Sequence, residues 1–214
     1  MREITLENWN RKEHYQFFRR MDYPVYNICF DLDVTRYRRF AKKAGLSFNN
    51  ALLYLSTRTL NDIENFRFRC RDGNVIIHDI THPSFTAMSG ESGLFKLATV
   101  DYQSDIRAFN ASALAASRAD SACFPLDQLK GRDDLIFFSA IPWITFTSLD
   151  HTINLNKDDA VPRITWGKFQ WRGLRLMLPY NMQVSHLFVD GYHLGIYREK
   201  LDENMRLIIA ENRC

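Results

Sequence analysis

No apolar run in this sequence approaches the ~20 residues that a membrane-spanning helix needs. The opening residues, Met1-Arg2-Glu3-Ile4-Thr5-Leu6-Glu7, lack the apolar stretch of a secretory signal. Cysteine is sparse and scattered: Cys29, Cys70, Cys123 and Cys214 make no CxxC pair and no Cys/His grouping at metal-ligand spacing. This argues against a disulfide framework and for a reducing compartment. Net charge is small as well, with 28 Lys and Arg against 25 Asp and Glu. The short basic runs, Arg36, Arg38 and Arg39, then Lys42 and Lys43, read as solvated helix faces. By elimination the expectations are a cytoplasmic protein with no membrane partner, no nucleic-acid partner and no metal.

Internal repeats, low-complexity segments and linker-like shifts in composition are missing too. What the chain has is apolar and aromatic mass: 16 Phe, 9 Tyr and 4 Trp among 214 residues. That length is near the upper end of what one core holds, so a single domain over residues 1–214 is expected.

The apolar spacing predicts a helix over 8–20, with Tyr15 and Phe18 on one face and Trp9 at its start. An alternating strand follows over 26–34, then helices over 36–44, capped by Thr35, and 48–63, capped by Ser47. Asp72-Gly73 supplies the turn of a hairpin between 66–70 and 75–77. Strands are expected over 84–88 and 94–100, separated by a Gly/Ser-rich turn, and an alanine-rich helix over 106–119 after Ser104-Asp105. Residues 135–146 form an apolar run in which Pro142 removes a ladder donor, so the strand must end, bulge or lie at an edge there. Segments 164–169 and 174–179, turning at Arg172-Gly173, precede a further strand that carries His186. Leu194, Tyr197, Leu201, Met205 and Ile208 make one stripe of a closing helix. Interspersed helices and strands without a strict βαβ rhythm imply an α+β two-layer sandwich, its sheet mixed and largely antiparallel.

The stretch Gln183-Val184-Ser185-His186-Leu187-Phe188-Val189-Asp190-Gly191 stands out. Taken alone, His186 is one polar residue at the end of an apolar run and Asp190-Gly191 is a corner. Likewise Ser139 is a lone hydroxyl on an apolar segment that can bond its local backbone, and Arg11 is a charge near a helix start.

Three separated pieces combine these residues: Asn8-Trp9-Asn10-Arg11-Lys12-Glu13-His14, Ser139-Ala140-Ile141-Pro142-Trp143, and His186 to Gly191. Together they resemble the chloramphenicol acetyltransferase family, and the resemblance runs over nearly the whole chain. The string H-x-x-x-D-G is shared with the acyltransferase cores of 2-oxo acid dehydrogenase complexes; the other two pieces favour the antibiotic acetyltransferases.

The resemblance implies a CoA-dependent acyltransferase fold, helices on one face of the sheet, and a homotrimer with active sites between subunits. It implies antibiotic resistance by direct transfer of acetyl from the co-substrate acetyl-CoA to a small-molecule hydroxyl, without an acyl-enzyme. His186 would be the general base and Ser139 the oxyanion donor from the neighbouring subunit. Asp190 would pair with Arg11, both buried, to fix the corner that carries the histidine. Thr165 would hold a water near the oxyanion, Lys168 would sit near the CoA phosphates, and Phe95, Phe17 and Phe18 would line the acceptor pocket. The sequence departs from the family at Ser185, where most members have histidine, at Phe18, where many have tyrosine, and at Ser47, in place of a CoA-binding lysine. An acceptor other than chloramphenicol, or a non-catalytic trimeric binding protein, stays open at this point.

Overall fold

The computed structural model describes residues 1–88, 93–152 and 155–212. In chain order its elements are β1 (Arg2–Glu3), α1 (Lys12–Phe18), β2 (Val25–Asp33), α2 (Thr35–Lys43), α3 (Phe48–Asn61), β3 (Phe68–Arg71) and β4 (Asn74–Ile77). They continue with β5 (His82–Met88), β6 (Phe95–Thr99), α4 (Ile106–Arg118), α5 (Leu126–Leu129), β7 (Leu135–Ile141), β8 (Arg163–Gly167), β9 (Gln170–Arg172), β10 (Arg175–Ser185) and α6 (Gly191–Glu211).

Seven strands make a mixed sheet in the order β2-β10-β8-β7-β5-β6, with β9 also paired to β10. Strands β5, β7 and β8 run parallel; the other pairs are antiparallel. A small second sheet, β1-β4-β3, carries the expected hairpin, whose Asp72 and Gly73 both take positive φ. This is the α+β class that the sequence pattern implies.

Strand β10 spans 11 residues and corrects the sequence reading, which split it at Pro179. Proline is tolerated there because β9 pairs only up to Met177 and β8 begins at Tyr180, so its missing donor falls in a gap of that ladder. The same strand separates the two faces of the sheet. Leu178, Tyr180, Met182 and Val184 are buried, and the Tyr180 hydroxyl donates to Ser56 Oγ (2.8 Å) on α3 and lies 2.6 Å from Tyr197 Oη on α6. Burying each such side chain contributes about 1.5–3 kcal/mol, which holds the helices to this face. The opposite face is polar. There Asn181 Nδ2 donates to Leu149 O (3.1 Å) and Gln183 Oε1 accepts from His151 N (3.1 Å), fastening the segment after β7 across it.

Helix starts follow local chemistry. Ser47 and Asp105 cap α3 and α4 by accepting from Asn50 N and Ala108 N. Thr35 does not cap α2; it is the first helical residue, and Asp33 Oδ1 accepts from both its N–H and its hydroxyl. Helix α1 is shorter than the spacing predicts, because Leu6–Asn8 form a separate 3-10 turn and Trp9 is extended. Phe66 and Arg67 belong to another 3-10 turn, so β3 starts at Phe68. Strand β7 ends at Ile141, immediately before Pro142. Most of the Gly/Ser-rich turn expected before β6, residues 89–92, lies outside the described residues.

Candidate active site

The corner from Ser185 to Asp190 is held at nearly every backbone group. Its first turn closes on itself, with Phe188 N and Val189 N donating to Ser185 O, while His186 N donates to Pro24 O (2.7 Å). Arg11, buried at the start of α1, then reaches three acceptors: His186 O through Nη2 (3.2 Å), Leu187 O through Nε (3.0 Å) and Asp190 Oδ2 through Nη1 (2.8 Å). Asn65 Nδ2 donates to Phe188 O (2.8 Å). The planar guanidinium suits this work, since its donors point along fixed directions.

Asp190 has a second task as the cap of α6. Its Oδ1 accepts from Tyr192 N (3.1 Å), while its own N–H donates to His193 Nδ1 (3.2 Å). Burial alone would raise the Asp190 carboxyl, yet the Arg11 hydrogen bond and the charges of His193 and Arg11 bring it below its ordinary range. The sequence reading took both partners as buried. The guanidinium is, but the Asp190 side chain keeps 27% exposure, because it sits at an exposed helix start.

The imidazole of His186 lies flat against Phe18, ring centroids 3.8 Å apart at 13°, with Tyr26 tilted against it at 4.6 Å. Nδ1 is buried, and among the described residues no group meets hydrogen-bond geometry with it. Burial lowers the ring below the ordinary histidine value, and Arg11 adds to this; its own carbonyl, that of Val189 and the Asp190 carboxylate oppose it. The ring is therefore neutral at pH 7. Burial also pushes the Tyr26 hydroxyl up to about 12. Ser185 stays buried, and its Oγ has no hydrogen-bond partner among the described residues.

Ser139 sits elsewhere. Register places Thr86, Ser139, Thr165 and Asn181 side by side across β5, β7, β8 and β10. Ser139 Oγ accepts from Thr86 Oγ1 (3.4 Å), which leaves its own proton free to donate. Thr165 is fully buried, and its Oγ1 lies 3.0 Å from His151 Nε2. His186 is five residues past Asn181 and two strands across from Ser139. At ~3.3 Å per residue and ~4.8 Å per strand, about 19 Å separates them. One chain does not bring the two together.

A cavity of about 760 Å³ opens beside Ser139, lined among others by Thr86, Phe95, Trp143, Phe169 and Arg118. Its wall owes its shape to Gly167, where a Cβ would meet Ile144 O at 2.9 Å, so only glycine lets the segment after β7 close on β8. Among the described residues of the lining, Arg118 is the one with a charge. Exposed Lys168 lies between the lining residues Gly167 and Phe169, and the Arg38 guanidinium sits 4.9 Å from the Phe169 ring centre. Phe95 meets Phe124 edge-on (5.6 Å) at this cavity, whereas Phe17 is exposed and touches Phe18 rather than Ser139's surroundings. No group of three His, Cys, Asp or Glu among the described residues could hold a metal ion. No described helix is long and apolar enough to cross a membrane.

Sequence reasoning missed Tyr26, Thr86, Arg118 and His151. Thr86 gives no signal, because its link to Ser139 exists only through the β5–β7 register. Arg118 lies on the alanine-rich helix and His151 in a polar loop, neither within a motif.

The comparisons with known proteins bear on the family and the fold. The sequence model described as chloramphenicol acetyltransferase matches residues 1–202. A chloramphenicol acetyltransferase of Klebsiella sp is 29% identical over 203 residues, covering 94% of this chain and 91% of its own. Chloramphenicol acetyltransferase 2 of Escherichia coli is 31% identical over 193 residues, covering 89% and 90%. A solved chloramphenicol acetyltransferase superposes with a TM-score of 0.87 at 30% identity, covering 95% of this chain and 99% of its own. A dihydrolipoamide acetyltransferase of Azotobacter vinelandii, 18% identical, shares the fold with a TM-score of 0.68 over 92% of this chain and 87% of its own. The chain belongs to the chloramphenicol acetyltransferase family, and it is an acyltransferase.

Proposed function

We propose that the protein transfers acetyl from acetyl-CoA directly to the hydroxyl of a small acceptor, with chloramphenicol the first acceptor to consider. His186 of one subunit acts as general base and Ser139 of its neighbour as oxyanion donor, in a homotrimer of the cytoplasm that confers antibiotic resistance. The observation that carries this reading is the setting of His186: an imidazole wedged by Phe18 and Tyr26, on a corner clamped by Arg11.

An alcohol is a weak nucleophile at neutral pH. His186 takes its proton as the oxygen bonds to the thioester carbon, a contribution of roughly 10²–10⁴-fold. The carbonyl oxygen becomes an oxyanion, and Ser139, whose proton is not spent on Thr86, donates to it; one such donor is worth ~10²–10³ in rate. Collapse breaks the carbon–sulfur bond, the imidazolium returns the proton to the departing CoA thiolate, and the acetyl ester leaves. Thr165, next to Ser139 in the register, holds a water at the oxyanion. The cavity beside Ser139 admits the thioester arm. Arg118, Lys168 and Arg38 give its rim the positive charge that a phosphorylated carrier requires. Phe95 bounds the acceptor on one subunit and Phe18, with Phe17 beside it, on the other. The roughly 19 Å within one chain favours a site completed by a second copy.

Thiol release from acetyl-CoA by the purified protein, with and without chloramphenicol and beside His186→Ala, tests this reading. Drug-dependent release that vanishes in the variant is expected. Release only with other alcohols would keep the chemistry and change the acceptor, which Ser185 and Phe18, both close to His186, make the second reading. No release with any acceptor from a folded trimer would leave a binding protein.

A further inference from the structure

A separate cavity of about 480 Å³ lies between the start of β10, the first turn of α2 and the flank of α6. It shares no lining residue with the cavity beside Ser139. Arg175, on its wall, opens β10, and His186 follows the end of that strand, so roughly 36 Å of extended chain lies between them. The volume is that of a small-ligand pocket, which typically spans about 300–1,000 Å³.

Its charge is one-sided. Arg36, Arg175, Arg198 and Arg206 line it, against Asp33 and Asp202 alone. Both aspartates are already engaged. Asp202 Oδ2 holds Arg198 Nη1 at 2.7 Å, and Asp33 Oδ1 accepts from the N–H and the hydroxyl of Thr35. Arg175 Nε stays 3.8 Å from Asp33 Oδ2, beyond hydrogen-bond range. Arg36 and Arg206 form no ion pair among the described residues. Position makes the first of these costly. Arg36 is the second residue of α2, whose first turn has no acidic side chain, so its charge opposes the helix dipole. Such breaches of a local rule gather at functional sites. An anion between the two guanidinia meets both charges and the dipole together.

We infer that this cavity binds an organic phosphate: a phosphomonoester whose head sits between Arg36 and Arg206 and whose apolar body rests on Met205 and Leu174. A phosphomonoester carries close to two negative charges at pH 7, which matches the two unpaired guanidinia. Each guanidinium presents the fork that a pair of phosphate oxygens accepts. Met205 is buried and Leu174 almost fully exposed, so apolar surface runs from the depth of the cavity to its lip. A carboxylate meets the same donors with less charge and is the weaker match. The inference is independent of the acyl-transfer reading, and neither falls with the other.

Methionine methyl NMR of the purified full chain tests this, with phenyl phosphate as the probe. The Met205 methyl should shift saturably, with half-saturation on the order of 1 mM, as two charge-assisted contacts warrant. Arg36→Gln and Arg206→Gln should each raise that value about tenfold, and the two together should abolish saturation. Phenol and inorganic phosphate, each with half of the chemistry, should bind at least about tenfold more weakly. Met88, which lines the cavity beside Ser139, reports any binding there, and fully buried Met182 reports an intact fold in the variants. An unmoved Met205, a shift indifferent to both arginines, or phenol binding as well as phenyl phosphate would each overturn the inference. Inorganic phosphate binding as tightly as the ester would remove the organic body from it. A shift of Met88 alone would put the probe in the other cavity and overturn the site.

Discussion

Phe18 covers one face of the His186 imidazole at a centroid distance of 3.8 Å, closer than any other ring pair found in the described residues. Such contact shuts water from the ring, and burial is the largest cause of its lowered pKa. Phe18→Ala should therefore move the midpoint of the kcat/KM pH profile upward, toward the ordinary histidine value, as the charged form regains solvent. The rate should also fall by about tenfold or more, since a loosened base is a misplaced base. Phe18→Tyr keeps the ring and should leave both quantities nearly unchanged. An alanine variant with an unshifted midpoint would show that the stack does not set the protonation of His186.

Removal of the Asp190 carboxylate tests the corner. Asparagine is as good a helix cap as aspartate, so Asp190→Asn preserves the α6 start while leaving the buried Arg11 without its counter-charge. Stranding a buried charge costs about 3–5 kcal/mol, and the partial exposure of Asp190 points to the lower end. At this chain length that is a drop of about 6–12 °C in Tm. Arg11→Lys should harm kcat more than Asp190→Asn does, because a single ammonium cannot reach the carbonyls of His186 and Leu187 together with the carboxylate. Calorimetry beside steady-state rates separates the two. Unchanged melting in both variants would make the pair an ornament of the surface.

These residues also mark what a sequence can disclose. Short-range chemistry was legible: Ser47 and Asp105 do cap their helices, Asp72-Gly73 does turn its hairpin, and the stripe from Leu194 to Ile208 does face the core. So was the Arg11–Asp190 link, though only through resemblance. Strand β10 was misread because Pro179 looks like a breaker until its neighbours are known. The row from Thr86 through Ser139 and Thr165 to Asn181 was invisible, since register joins four segments that no local pattern links in sequence. His151 was hidden for the same reason.

Acid should weaken the fold in a defined window. The pKa values of His78, His151, His186 and His193 are each lowered from the ordinary histidine value, burial being the largest cause in every case. Below about pH 6.5 the unfolded chain binds protons that the native rings refuse, so unfolding takes up protons and stability falls as pH falls. The contribution is complete above that pH and is lost on descending through the native values. Asp133, Asp134 and Asp190, also lowered, act in the same direction but only below about pH 4. Tm should thus be highest near pH 7–8 and decline already between pH 6.5 and 5. A Tm constant from pH 8 to 5 would contradict the burial of these rings.

The separation of Ser139 from His186 makes the sharpest demand on assembly. If each site draws His186 from one subunit and Ser139 from the next, head-to-tail contacts must close into a ring. His186→Ala and Ser139→Ala should each lose activity as pure proteins, because every site then lacks the same group. Co-expressed in equal amounts with different tags, they should recover activity. For random assembly an interface finds an intact histidine half the time and an intact serine half the time, so about a quarter of the wild-type rate returns. Native mass spectrometry of the tagged mixture fixes the composition of the oligomers, and thiol release measures the rate. Mixed trimers without recovered activity would mean that the two residues serve different sites, and the intersubunit pairing of base and oxyanion donor would have to be abandoned.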